Sequence, residues 1–347
     1  MATHSVETKP LSLLWTYFIR QADGQYAIES MTPIPLRGPD GDEGNFFPVR
    51  DGLVTAQPRY TATVLSTLGL SIVPIVAMVP GEGILRCLGT GFFVSADGLL
   101  ITAAHVVADP IERKYGGVHE INHNHWHLGD LELGVMIMTN PVFHPKAWLF
   151  RKIKWAGFLA DRTEHPLPFR EAELKLNSDV AICKVEDPPD HSVYQPLAIV
   201  QKGIRGVGLA LGKKAYAIGY HGMKDTTFDQ QENIREGDFS FNLHVSIGEV
   251  LEHLPDNTTN RRVKTPGACF SASLKLTGGM SGSPIFDDER LYVHGVASGS
   301  YREDSFGYGS MLAASMSMPI EPMGNVTLLQ LIGEGKHGIP RISIAGA

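Results

Sequence analysis

Short apolar runs cut by turns that carry glycine and proline constrain this chain more than any other feature. Between positions 72 and 102 three such runs follow one another: Ile72–Val79, Ile84–Val94 and Leu99–Thr102. They are separated by Pro80-Gly81-Glu82-Gly83 and by Ala96-Asp97-Gly98. Runs this short, bounded by residues that punctuate the backbone, read as strands. The same grammar returns after Pro188-Pro189-Asp190, with candidate strands at Lys214–Ile218, Asn242–Val250, Ala268–Leu276, Pro284–Phe286, Leu291–Ser298 and Gly307–Ser315. The composition agrees: 37 Gly and 22 Pro in 347 residues, with only 19% charged, favour strands and turns over long surface helices. No repeat of 20–50 residues is present, which removes solenoids and propellers. The expectation is an all-β chain in two lobes.

The rest of the chain is placed around those lobes. Residues 1–70 are an N-terminal extension packing on the core, poorly patterned over 1–60, with a strand or short helix at Leu11–Arg20 and a polar loop at Gly38–Gly44. Residues 71–188 form the first lobe, where 108–177 carries further strands and an insertion. Residues 189–318 form the second lobe, and 319–347 a helix and tail in which Pro322 and Gly324 force a late helical start. The uncharged stretch 61–79 approaches membrane-spanning length, but it is interleaved with Thr and Ser and broken by Pro74. It reads as a turn or short helix followed by the buried strand Ile72–Val79, so no membrane partner is expected.

A net charge of −7 with no large basic run argues against nucleic acid. Cys87, Cys183 and Cys269 are sparse and odd in number. They read as buried small hydrophobes with reduced thiols rather than a disulfide framework. With no signal-peptide pattern at the N-terminus, the expected location is cytoplasmic. His119, His123, His125 and His127 invite a metal reading, with Glu120 or Asp130 to complete a site. Nothing in the spacing makes them converge, so they read as a polar loop or edge strand, and neither metal nor cofactor is expected.

The chemistry lies in three short motifs. Thr277-Gly278-Gly279-Met280-Ser281-Gly282-Ser283-Pro284 places a serine on a glycine-flanked turn, which exposes its hydroxyl and lets backbone N–H groups converge. A serine hydroxyl needs a base, and His105, in Thr102-Ala103-Ala104-His105, lies just past a strand end where it is held yet accessible. An imidazole needs a carboxylate to hold its tautomer, and Asp179, in Ser178-Asp179-Val180-Ala181-Ile182, stands between the two in sequence. The peptide N–H groups of Gly279 and Ser281 are the natural pair for an oxyanion.

Together these motifs resemble the three of the chymotrypsin-like (trypsin-like) serine peptidases, in their order and spacing: 74 residues from His105 to Asp179, and 102 from there to Ser281. The resemblance covers roughly 70–318. It implies two six-stranded antiparallel barrels, with His105 and Asp179 from the first and Ser281 from the second meeting in the cleft. It implies a serine endopeptidase acting on protein or peptide through an acyl-enzyme. Gly295-Val296-Ala297-Ser298-Gly299-Ser300 matches the strand that lines the family's primary pocket and pairs with the substrate backbone. By that match Ala297, Ser298, Gly299 and Ser300 are substrate-binding, with Ser298 beside the triad aspartate.

Departures from the family narrow the reading. Met280 stands where digestive members carry an aspartate that pairs with a newly cut N-terminus, so that activation is not expected. Lys275 occupies the place of trypsin's pocket-floor aspartate, so preference for Arg or Lys does not follow. Ser300 replaces a frequent glycine, and Ala297 stands where glutamyl endopeptidases use a histidine. Small or acidic residues at the cleaved bond are the expectation that remains. Two other classes compete: a silent peptide-binding module on the same fold, against which the complete motif set argues, and an α/β-hydrolase esterase, whose chain order is Ser, Asp, His. Restraint of such an activity would come from narrow specificity, a disordered oxyanion loop, or a regulatory protein docking on 1–60 or 108–177.

Overall fold

In the computed structural model, the described residues are 13–20, 26–34, 52–53, 68–79, 84–112, 119–122, 125–127, 132–140, 144–163, 173–188, 193–199, 209–227, 234–236, 242–254, 263, 265–287, 292–301, 306–334 and 337–340. Twelve strands carry the architecture. Strands β1 (Ile72–Val79), β2 (Ile84–Phe93), β3 (Leu99–Thr102), β4 (Glu132–Asn140), β5 (His144–Thr163) and β6 (Glu173–Val185) form the first barrel. Strands β7 (Lys214–His221), β8 (Asn242–Leu254), β9 (Cys269–Ala272), β10 (Pro284–Phe286), β11 (Tyr292–Tyr301) and β12 (Phe306–Met311) form the second.

Both sheets close on themselves. The first runs β6-β3-β2-β1-β4-β5 and returns to β6, and the second runs β11-β10-β7-β8-β9-β12 and returns to β11. Every pairing around each ring is antiparallel. The two rings have one and the same connectivity. In each, the first strand lies between the second and fourth, and the sixth between the third and fifth. Closure removes the two edge strands that an open sheet would leave, which suits strands whose runs are apolar on both faces.

The barrels are packed into one another. Ile75, Phe92, Leu100, Phe158 and Ile182 belong to a buried cluster that continues into Tyr216, Ile218 and Phe286 of the second barrel, while Phe270, Leu274, Ile285 and Met311 form a separate cluster in the second. Tyr220 at the end of β7 donates its hydroxyl to the Ile72 carbonyl at 3.1 Å, and burial pushes its phenol well above the ordinary range. The segment between β7 and β8 also reaches back, since Thr226 and Thr227 pair with Leu85 and Ile84, and Leu149, Trp148 and Ala147 pair with Ile234, Arg235 and Glu236.

Several boundaries differ from the sequence expectation. Leu11–Arg20 resolves to a strand, Leu13–Arg20, paired antiparallel with Tyr26–Ile34, and Gly52-Leu53 pairs with β8. A helix, α1 (Ala104–Glu112), follows β3 almost directly, where the sequence expectation has none, and it contains Pro110. Its buried Ala104, Val107 and Ala108 hold it against the first barrel. β7 runs to His221 and β11 to Tyr301, past the expected ends, because pairing with β8 and β12 continues there. Conversely, β9 stops at Ala272, and β12 stops at Met311, followed by the short helix α2 (Ala313–Met316).

The C-terminal helix α3 (Leu328–Glu334) starts late, as Pro322 and Gly324 require, and buries Leu328, Leu331 and Ile332. Beyond it, His337 clasps the first barrel: its Nδ1 lies 2.7 Å from Asp97 Oδ2, and its carbonyl accepts from Ala96 N at 3.0 Å. The loop Gly38–Gly44 and residues 123–124 lie outside the described residues. His119 pairs with His127 across two short strands. Among the described residues no helix is long and apolar enough to cross a membrane. The three cysteines are free; Cys183 and Cys269 are buried, Cys87 is half-buried, and burial pushes all three thiols up to about 12.

Candidate active site

His105 sits in the first turn of α1, three residues past the end of β3. Two buried alanines before it, Ala103 and Ala104, let the chain turn sharply from strand into helix against the barrel wall. Asp179 comes from β6, on the same barrel, and is almost fully buried. Its carboxylate spans two groups of one residue. Oδ1 accepts from the His105 backbone N–H at 2.9 Å, and the imidazole Nδ1 lies 2.9 Å from Oδ2 and 3.0 Å from Oδ1. Ser298 Oγ, from the second barrel, donates to Oδ2 as well.

A buried carboxylate surrounded by donors stays an acceptor, so the network assigns the imidazole proton to Nδ1 and leaves Nε2 with a lone pair. The aspartate side chain is 2% exposed against 42% for the histidine, so the carboxyl group is shut away from solvent while the imidazole reaches it.

Ser281 is delivered by two consecutive turns between β9 and β10. Met280 N donates to the Thr277 carbonyl at 3.0 Å and Ser283 N to the Met280 carbonyl at 3.0 Å. Each turn has a glycine at its third position with positive φ, 95° at Gly279 and 89° at Gly282. Type II turns reserve this conformation for glycine. Gly282 is required for a second reason: a Cβ there would lie 1.9 Å from the Thr90 carbonyl oxygen and 2.3 Å from Thr102 Oγ1. The serine turn therefore presses against the first barrel, on the backbone of β2 at Thr90 and on the Thr102 side chain at the end of the strand that leads to His105. The peptide N–H groups of Gly279 and Ser281 donate to no acceptor among the described residues. Ser281 Oγ donates to the Ser298 carbonyl at 3.2 Å.

Ser298 thus touches two of the three groups, bonding Asp179 through its hydroxyl and Ser281 through its carbonyl. It is the extra residue at a register shift between Ala297 and Gly299, and pairing with β12 continues on either side of it. Ala297 is buried and holds the turn, accepting from Gly282 N at 2.7 Å and donating to the Ser283 carbonyl at 2.8 Å. β10 pairs with β11 only up to Val296, so that edge of Ser298, Gly299 and Ser300 has no strand beside it among the described residues. Lys275 is exposed, and its backbone N–H donates to Ser246 Oγ at 2.7 Å.

Thr90 was not singled out by sequence, yet it brackets the serine. Its N–H donates to the Ser281 carbonyl at 2.7 Å, its Oγ1 donates to the Gly279 carbonyl at 2.8 Å, and Oγ1 accepts from Tyr220 N at 3.0 Å. Thr102 Oγ1 in turn donates to the Thr90 carbonyl at 2.7 Å. One fully buried hydroxyl on β2 therefore ties the serine turn to both barrels. The only local signal was a polar residue inside an apolar strand. Thr90→Val keeps the shape and orphans two buried backbone groups, a loss that corresponds to about a ten- to hundredfold lower kcat. Thr90→Ser should restore most of it when rates are normalised to titrated sites.

An imidazole held on a buried carboxylate in one closed barrel, linked through Ser298 to a serine hydroxyl of a second, is an arrangement that fits the two-barrel peptidases. The chain belongs to the trypsin-like peptidase family: residues 89–296, more than half of the chain, match the trypsin-like peptidase domain. No sequence among curated proteins matches it. Among solved structures it is similar to the Rv3671c protease in an inactive form, at 17% identity over 74% of this chain and 91% of that one, with a TM-score of 0.40. It is also similar to the active form of that protease from M. tuberculosis, at 17% identity over 81% and 86%, with a TM-score of 0.38.

Proposed function

We propose that the chain is a serine endopeptidase that cleaves protein or peptide substrates through an acyl-enzyme on Ser281. The observation that carries this reading is the Asp179 carboxylate, buried and shared between His105 Nδ1 and Ser298 Oγ, with the Ser298 carbonyl against Ser281 Oγ. In the reaction, rotation of Oγ away from the Ser298 carbonyl presents it to His105 Nε2, which takes its proton as Oγ bonds to the substrate carbonyl carbon. The carbonyl oxygen gathers negative charge between the N–H groups of Gly279 and Ser281, donors already fixed by the two glycine turns. His105 then returns the proton to the leaving amine, and water, activated by the same imidazole, releases the acyl group. Asp179 holds the tautomer and balances the imidazolium throughout.

The edge of Ser298–Ser300 that has no strand beside it among the described residues would let an extended peptide add as a strand, which suits an internal segment of a chain. A fluorophosphonate probe should attach to one site, read by mass on the fragment containing Ser281. Protein that hydrolyses peptides while its Ser281 fragment stays unmodified would overturn the reading.

A further inference from the structure

We infer that Leu276 closes the floor of the primary pocket and limits cleavage to bonds that follow a small side chain, Gly, Ala or Ser. This rests on the acyl-enzyme reading of Ser281. An acyl carbonyl attached to Ser281 Oγ, with its oxygen toward the N–H groups of Gly279 and Ser281 and its chain along Ser298–Ser300, leaves one direction for the side chain next to it. In this inference that side chain lies between the segment 274–280 and the β11–β12 hairpin. Ser300 is paired with Gly307 across that hairpin, so the residue that lies on Gly307 faces the same place.

Leu276 fills this space. A Cβ on Gly307 would meet Leu276 Cγ and Cδ1 at 2.6 Å each, so the leucine side chain lies directly on the glycine face. The segment is extended and alternates: Leu274 and Leu276 are buried, Lys275 and Thr277 exposed. Leu276 is 8% exposed and packs with the cluster of Phe270, Leu274 and Met280, so neighbours on its inner side hold it in place. Lys275, whose sequence position suggested the pocket floor, lies on the outer face, and the residue turned inward is an aliphatic one. A long or aromatic side chain would have to displace Leu276 from the core. An acidic one would be desolvated against it, so of the small and acidic side chains expected from sequence the structure favours the small.

The test is a peptide series that differs only at the residue before the cleaved bond, carrying Gly, Ala, Ser, Leu, Phe, Lys or Glu, assayed on enzyme titrated with the fluorophosphonate probe. The wild type should show kcat/KM at least tenfold higher for Ala than for Leu, Phe, Lys or Glu. Leu276→Ala, and Leu276→Val should the larger deletion fail to fold, should raise the Leu or Phe peptide at least tenfold relative to Ala. Wild-type cleavage after Phe, Lys or Glu as fast as after Ala overturns the inference, as does a folded, fully labelled Leu276 variant with an unchanged profile. A protein that neither labels nor cuts any member overturns the acyl-enzyme reading itself, and this inference with it.

Discussion

Ser281→Ala should lower kcat by about 10⁶-fold, and adding His105→Ala should cost almost nothing more. The two side chains act as one device: without the hydroxyl there is no acyl-enzyme for the imidazole to form, and without Nε2 the hydroxyl keeps its proton. A residual rate about 10³-fold above water should survive in all three variants, because the N–H groups of Gly279 and Ser281 belong to the backbone and remain when the side chains go. The turns at 277–280 and 280–283 are closed by main-chain bonds and by Thr90, none of which uses Ser281 Oγ. The fold should therefore hold, with melting temperature close to wild type. The measurement is steady-state hydrolysis of the best Ala-type peptide by the two single variants and the double. Losses that multiply would mean that the two residues work separately, and the shared proton transfer would be wrong.

How far the fold was legible depended on whether a feature is local. Ile72–Val79, Leu99–Thr102 and Pro284–Phe286 match the strands residue for residue, because in each a turn residue or proline marks the end of an apolar run. β11 was read three residues short because Gly299 and Ser300 look like loop residues. They stay in the sheet through pairing with Tyr308 and Gly307, a tertiary contact. The helix α1 is hidden for the opposite reason: the sequence around it, with Pro110 inside the helix, carries little of the usual local helix signature.

His105 and Ser281 stand out in the sequence because the proposed chemistry demands particular neighbours: small residues before His105, glycines around Ser281. Asp179 had almost no local signature and gained meaning only from its place between the other two. Thr90 and Leu276 were invisible to such reasoning. The role of Thr90 comes from a bond to a residue 189 positions away, and that of Leu276 from the bare face of Gly307. Residues of this kind acquire their function from which surfaces the barrels bring together, and a pattern along the chain does not encode that.

Asp179→Asn should lower kcat by about 10⁴-fold while leaving the fold and substrate KM nearly unchanged. The wild-type carboxylate receives three donors: the His105 backbone N–H on Oδ1, the Ser298 hydroxyl on Oδ2, and the imidazole Nδ1 near both oxygens. An asparagine has one oxygen and one NH₂ for those two positions. The backbone N–H cannot change its role, so it claims the amide oxygen at the Oδ1 position, while the Ser298 hydroxyl can rotate and accept. The NH₂ then occupies the Oδ2 position and faces Nδ1. It can donate only to an unprotonated Nδ1, which moves the ring proton to Nε2, the atom that must accept from Ser281. The site keeps its shape and loses its base. This differs from Asp179→Ala, where a cavity replaces the carboxylate and the ring is free to turn. The decisive readouts are the fluorophosphonate labelling rate of Ser281, which should fall in step with kcat, and the nitrogen-15 shifts of His105, which should show the proton on Nε2. Labelling at the wild-type rate in a folded Asp179→Asn protein would show that the tautomer does not limit the reaction and would take Asp179 out of the mechanism.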